Sequence, residues 1–171
     1  MEPHFDLPAS AWVQRFVPLI RPGGAVLDVA CGSGRHARLL ARLGFEVDAV
    51  DRAPELFSAP PPQVTVLGAD LEGGPWPYPG RRFDAIVVTN YLHRPLLPVL
   101  VAALEPGGLL LYETFARGNE RFGKPSNPAF LLEPGELLEA VRGKLRVLAY
   151  EDLVVQEPRP AAVQRLCARR E

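Results

Sequence analysis

Cysteine, methionine and lysine are all scarce in this sequence. Its two cysteines, Cys31 and Cys167, stand far apart with no CxxC pair, so neither a disulfide framework nor a metal site is expected. Met1 is the only methionine, and Lys124 and Lys144 are the only lysines, which leaves 17 of the 19 basic residues as arginine. With 19 prolines, this skew fits either heat adaptation or the codon bias of a GC-rich genome. Nowhere is there an apolar run of the ~18 residues needed to span a bilayer. The opening "MEPHFDLPAS" has no basic-then-apolar targeting pattern, so a cytoplasmic chain without membrane contact is expected. A net charge of −1 supplies no overall basic field, and nucleic acid is not favoured as a partner.

What is present is an ordinary globular balance, 47% apolar and 23% charged over 171 residues, enough for one domain spanning residues 1–171. An N-terminal helix is placed within 1–22, where Trp12, Phe16 and Leu19 or Ile20 recur at helical spacing and "RPGG" ends the run. "AVLDVA" reads as a buried strand, "SGRHARLLARLG" as a helix closed by Gly44, and "FEVDAVD" as a second strand. Three successive prolines, Pro60 to Pro62, leave room only for a stub of helix before the strand "VTVLGAD". The loop "LEGGPWPYPGRR" leads to the strand "FDAIVVTN", a helix over 94–108 and the strand "LLLYETF". A polar insert (116–133), a short helix over 134–143 and two β-rich segments joined only by "QEPRP" complete the chain. That last link is too short for a parallel crossover and predicts an antiparallel hairpin, adding two edge strands. The whole is an α/β chain: a doubly wound, Rossmann-like sheet of seven strands, mostly parallel, with a C-terminal antiparallel hairpin.

Ligands of such sheets sit beyond the carboxyl ends of the strands, here Asp28–Gly34, Asp51, Asp70, Asn90 and Thr114–Phe115. Gly32-Ser33-Gly34-Arg35-His36-Ala37 satisfies G-x-G-x-x-A, with Asp51 nineteen residues after Gly32. A nicotinamide-dependent oxidoreductase is therefore one reading. Two features oppose it. No residues remain for a separate substrate domain, and Asp28 would repel a diphosphate at the same turn. A cationic ligand reverses that sign, and S-adenosylmethionine carries both a sulfonium and an ammonium.

The stretch "VLDVACGSGRHARLLARLGFEVDAVDRAP" resembles the first motif and following acidic strand of class I S-adenosylmethionine-dependent methyltransferases. Its Gly-Arg-His run and short chain are most similar to the small tellurite-resistance-type members. The resemblance implies S-adenosylmethionine as cofactor, held by Asp28, Ala30, Gly32, Gly34, Asp51, Arg52, Asp70, Leu71 and Asn90. In it Asp28 serves the amino group, Asp51 the ribose hydroxyls, and Asp70 with the Leu71 amide the adenine. Each acid has a plainer reading: Asp28 as a helix-capping carboxylate, Asp51 paired with Arg52, Asp70 as a turn former before Gly73-Gly74. Cys31 is read as packing.

The fourth strand ends "TNYLHRP", without the Asn/Asp-Pro-Pro-aromatic run of enzymes that modify exocyclic base amines. Tyr91 and His93 are the candidate general bases near the transferring methyl, with a structural role the alternative for His93. In the insert, Arg117, Arg121 and Lys124 suit a small anionic acceptor, or else belong to a solvated loop. Trp76 and Tyr78 either lid the adenine or cover the core edge. The expected activity is methyl transfer to a small molecule by in-line displacement, aided by alignment and desolvation. A protein that binds the cofactor without catalysis is the non-enzymatic alternative.

Overall fold

The computed structural model describes residues 7–171, so the part of the N-terminal helix reading that falls on 1–6 lies outside the described residues. The strands are β1 (Ala25–Val29), β2 (Glu46–Asp51), β3 (Val64–Gly68), β4 (Phe83–Thr89), β5 (Leu104–Phe115), β6 (Arg146–Val155) and β7 (Ala161–Arg169). They form one seven-stranded sheet in the order β3-β2-β1-β4-β5-β7-β6. β1 to β5 pair in parallel, and β7 runs antiparallel to both of its neighbours. The α/β architecture read from the sequence is thus the observed one, with one correction to the hairpin. β7 is not an edge strand: it inserts between β5 and β6. Its "AAVQRLCAR" is buried on both faces along almost its whole length, whereas β6 is largely exposed and takes the margin.

Side chains alternate between the two faces and build two cores. Val26, Val47, Val87, Leu111 and Cys167 face α1 (Ala11–Phe16) and α2 (Arg35–Arg42), meeting Trp12, Phe16, Ala37 and Leu40. Leu27, Val50, Ile86, Leu110 and Leu166 face α3 (Leu97–Ala102) and α4 (Glu136–Val141), meeting Leu100, Val101, Leu137 and Val141. In the N-terminal stripe Ile20 is buried and Leu19 exposed, and the helix is shorter than expected, passing at Pro18 into a 3-10 turn over Val17–Leu19.

The helix expected over 94–108 is likewise shorter. Arg94–Leu96 form a 3-10 turn, α3 ends at Ala102, and Leu104 already pairs with Phe83. Pro106 lacks an amide hydrogen and Gly107 adopts φ 81, so the helix cannot continue through them. Neither connection flanking β3 contains an α-helix. Residues 52–63 carry only the 3-10 turn Pro54–Leu56, and 69–82 are loop. Tyr78 fills the second gap as a buried ring 5.5 Å from Phe83 and edge-on to it, with Trp76 another 5.5 Å away. These two aromatics therefore cover the core edge near the amino end of β4 rather than lidding the strand ends.

Candidate active site

The carboxyl ends of β3, β2, β1 and β4 lie side by side in that order, bringing Asp70, Asp51, the glycine turn and Asn90 along one rim. Asp28 sits inside it. By strand alternation its carboxylate points to the face covered by α2, where Oδ2 accepts from the Ala37 N–H at 3.1 Å. This caps an orphan amide of the first helical turn. The side chain is 1% exposed. Burial pushes its pKa up to about 7, with Asp51 adding to the rise and the Ala37 amide and Arg35 opposing it. The geometry is that of the capping reading.

Asp51 is the hinge of the rim. Its Oδ2 accepts from the Gly32 N–H at 2.9 Å and its Oδ1 from the Ala53 N–H at 2.9 Å, tying the glycine turn to the end of β2. A carboxylate has about four lone-pair sites, so two remain for a ligand. Arg52 does not pair with it; that arginine is exposed. Gly32 adopts φ 53, and a Cβ built there would meet nothing within 4 Å, so one side of the turn stands open. Gly34 differs. At φ 88, a Cβ there would lie 2.1 Å from the Phe57 ring, so this glycine admits an aromatic from the connection after β2. Ala30 and Asn90, at the ends of adjacent β1 and β4, hold left-handed backbone at φ 55 and 54, a conformation that costs roughly 1–3 kcal/mol and clusters at functional sites.

Asp70 is exposed and forms a turn: its Oδ1 accepts from the amides of Glu72 and Gly73, both at 3.0 Å. The Gly73 and then the Glu72 amide hold its pKa below the usual carboxylate range. Leu71 packs its side chain on the α3–α4 core. Tyr91 is half-buried, and its carbonyl accepts from the Tyr112 hydroxyl at 2.7 Å. Burial, then the carboxylates of Glu72, Asp70 and Asp51, pushes the Tyr91 phenol up to about 12, which opposes its use as a base. His93 Nδ1 lies 3.3 Å from Glu72 Oε1, linking the segment after β4 to the loop after β3.

The insert is fastened to the sheet. Buried Asn119 donates to the Pro125 carbonyl at 2.9 Å and accepts from the Ala162 N–H at 3.1 Å. Gln164, fully buried on β7, donates to the Glu133 carbonyl at 2.6 Å. Arg94 forks onto Glu136 at 2.7 and 3.0 Å and donates to the carbonyls of Ala129 and Leu131. Of the three cations singled out in the sequence, Arg117 pairs with Glu133 at 3.1 Å. The Arg121 Nε donates to the Gly118 carbonyl at 3.1 Å, and its guanidinium lies 5.4 Å from the Phe122 ring centre. Lys124 is exposed. None of the three forms a hydrogen bond or ion pair with Asp51, Asp70 or Asn90.

Sequence reading missed a polar network beneath the N-terminal segment. The Ser10 N–H donates to His36 Nε2 at 3.0 Å, so the imidazole hydrogen is on Nδ1, 3.4 Å from Thr89 Oγ1. The Ser10 hydroxyl donates to Glu113 Oε1 at 2.9 Å, and Glu113 pairs with Arg165. A signal for His36 existed. It stands four residues before Leu40, on the same buried stripe of α2.

This sheet order, with a glycine turn after β1 and an acid at the end of β2, defines a Rossmann-like α/β domain with its candidate site at the carboxyl ends of the strands. A family model described as a methyltransferase domain matches residues 4–139, and the chain belongs to that family. The family decides for the class I S-adenosylmethionine-dependent methyltransferase reading over the nicotinamide one. The chain is 35% identical over 108 residues to a ubiquinone biosynthesis O-methyltransferase of Xanthomonas campestris pv. campestris, covering 56% of this chain and 45% of that protein. It thus spans about half the length of the curated relatives it matches. In fold it is similar to TehB of Haemophilus influenzae, with a TM-score of 0.75 at 20% identity over 93% of this chain and 61% of that one. It is also similar to the glycopeptide N-methyltransferase MtfA complexed with S-adenosyl-L-homocysteine, with a TM-score of 0.66 at 19% identity over 98% and 92% of the two chains.

Proposed function

We propose that the protein transfers the methyl group of S-adenosylmethionine to an oxygen or nitrogen of a small molecule, with His93 as the base. The cofactor fits the residues present. Asp51 has lone pairs to spare beside the open side of Gly32, which suits a ribose diol. The carboxylates of Asp51, Asp70 and Glu72 outnumber the one arginine beside them, Arg52, which suits a sulfonium. When bound, the cofactor supplies an electrophilic methyl on a positively charged sulfur. The chain's part is to align the acceptor in line with that methyl and exclude water.

The observation that carries the choice of base is the His93–Glu72 contact at 3.3 Å, set against a Tyr91 phenol pushed up to about 12. In this reading Glu72 orients the ring and the other nitrogen faces the acceptor. His93 would take the proton of the acceptor atom as that atom gains its methyl group. The relatives named for O- and N-methyl transfer support acceptors that carry such a proton. An anionic acceptor would draw on Arg121 and Lys124, since Glu133 already meets the charge of Arg117.

Melting with S-adenosylhomocysteine, and separately with NADH, tests the cofactor. A ligand at about 100 times its dissociation constant stabilises by roughly 2.7 kcal/mol, and only the first should do so. A methyl-transfer screen over phenols, amines, carboxylates and thiols, repeated with His93→Gln, tests the base. Turnover confined to thiols, or unchanged in His93→Gln, overturns this mechanism.

A further inference from the structure

We propose that the surface over α3, near the amino ends of β4 and β5 and so opposite the Asp51 rim, docks an acidic amphipathic helix of a partner protein. Two clefts, of about 510 and 330 Å³, open beside this helix, and Pro98 and Ala102 line both. Four residues apart, these two share one face of α3, and both are exposed. Around the axis Val99 falls on one side of that pair and Val101 on the other, each lining its own cleft. The clefts thus flank a low ridge made of a proline ring and a methyl group. A second helix laid on the ridge comes close, because the side chains at a crossing set the interaxial distance. Its larger apolar side chains would then enter both clefts at once.

Charge states what such a helix carries. The larger cleft is lined by Trp76 together with Arg81 and Arg82, the smaller by Leu145 with Lys144 and Arg170. Neither is lined by an acid, in a chain whose 20 acids match its 19 bases. Arg81 pairs with Asp48 at 2.5 Å. Among the described residues no carboxylate comes within 4.0 Å of the Arg82, Lys144 or Arg170 side chain. The nearest acids in sequence do not change this: Glu105 lines neither cleft, and Glu171 is taken by Arg146.

Positive charge therefore lies on both sides of an apolar ridge, the complement of an apolar helix face with acids along both margins. Other occupants fit less well. A bilayer is flat and does not fill two clefts, and a single anionic head group would use the cations of one cleft only. A second copy pairing the same surface by two-fold symmetry would set cation against cation. Trp and Arg, the residue types that dominate binding hot spots, are both at hand.

The probe is a helical peptide of about 18 residues with leucines at every third or fourth position and glutamates beside them, compared with a twin carrying lysine for each glutamate. Trp76 reports occupancy by its fluorescence, since the other tryptophan, Trp12, is buried in the opposite core. The acidic peptide is expected to shift that emission, to bind wild type at least about tenfold more tightly than its twin, and to weaken as salt rises. The double variant Arg82→Glu, Lys144→Glu should reverse the order of the two peptides, and that gain for the basic one shows that it is folded. Should the double variant melt early, Arg82→Glu alone carries the comparison, with a smaller change in the same direction. Ala102→Gln, which raises the ridge, should weaken the acidic peptide. No response of wild type to the acidic peptide, equal affinity for the twins, or an order unchanged by charge reversal overturns the proposal. So does a Trp76 response to phosphatidylglycerol vesicles or to dodecanoate in place of the peptide, or a dimer in sedimentation that Ala102→Gln dissociates.

Discussion

The backbone amide of Ser10 donates to the imidazole of His36, 26 residues away, and thereby fastens the N-terminal segment onto the first turn of α2. The ring is 2% exposed, and burial, with help from Arg35, pushes its pKa down to about 3, so it is neutral when folded. Unfolded, the same ring takes up a proton near pH 6.5. The unfolded state therefore binds the extra proton between about pH 6.5 and 3, and stability falls as pH drops through that window. His36→Gln is expected to flatten this part of the curve. Urea midpoints at pH 7 and pH 4 check it: the drop between them should be smaller in the variant.

Asp28 works in the opposite sense. Its folded pKa of about 7 lies above the usual 3.8, so the folded state keeps a proton that the unfolded chain has lost. Stability from this group is full at low pH and declines as pH rises from 3.8 to about 7. Asn accepts the Ala37 amide equally well and carries no charge. Asp28→Asn should therefore gain on wild type by up to a few kcal/mol between pH 5 and pH 8, seen as a widening difference in melting temperature. Affinity for S-adenosylhomocysteine should stay within about threefold, because a capping carboxylate does not reach the ligand. A loss of a hundredfold would restore the ammonium role to this residue.

Asp51→Ala is expected to weaken cofactor binding more than Asp70→Ala. The first removes both the proposed ribose contacts, roughly 1.5–3 kcal/mol each, and the anchor of the Gly32 amide. The second would leave in place the backbone contact to adenine that the resemblance implies, and mainly loosens the turn at Glu72 and Gly73. Calorimetry on the two variants decides, and equal losses would misplace the ribose.

Gln164→Leu should destabilise the protein by about 1–3 kcal/mol, because it strands the buried Leu137 amide, which lies 3.4 Å from Gln164 Oε1, and takes the donor from the Glu133 carbonyl. The measurement is the urea midpoint at constant m-value. An unchanged midpoint would mean that water reaches these groups from the insert.

Much of this is legible in the sequence. β1 to β5 follow from short apolar runs between Gly and Pro punctuation, and Asp51 follows from its distance to Gly32. Alternation along β1 also separates Val26 and Asp28 from Leu27 and Val29, so the burial of Asp28 under α2 was in principle readable. Three things were not. The partners of His36 are distant in sequence: Ser10 lies 26 residues before it and Thr89 53 residues after. The insertion of β7 between β5 and β6 depends on which of two similar strands is buried on both faces. The shortening of α3 is set by Pro106 and Gly107, which the apolar periodicity before them masked.

The absence of α-helices on either side of β3 has a kinetic consequence. Thr65, Leu67 and Gly68 are exposed, and only Val64 of this strand is buried. Strand margins with few apolar contacts open at low free-energy cost. Deuterium should therefore replace the amide hydrogens of Val66 to Gly68 sooner than those of β1 or β4. A nucleoside held partly by this margin would come and go through local breathing of one strand, with the rest of the sheet undisturbed.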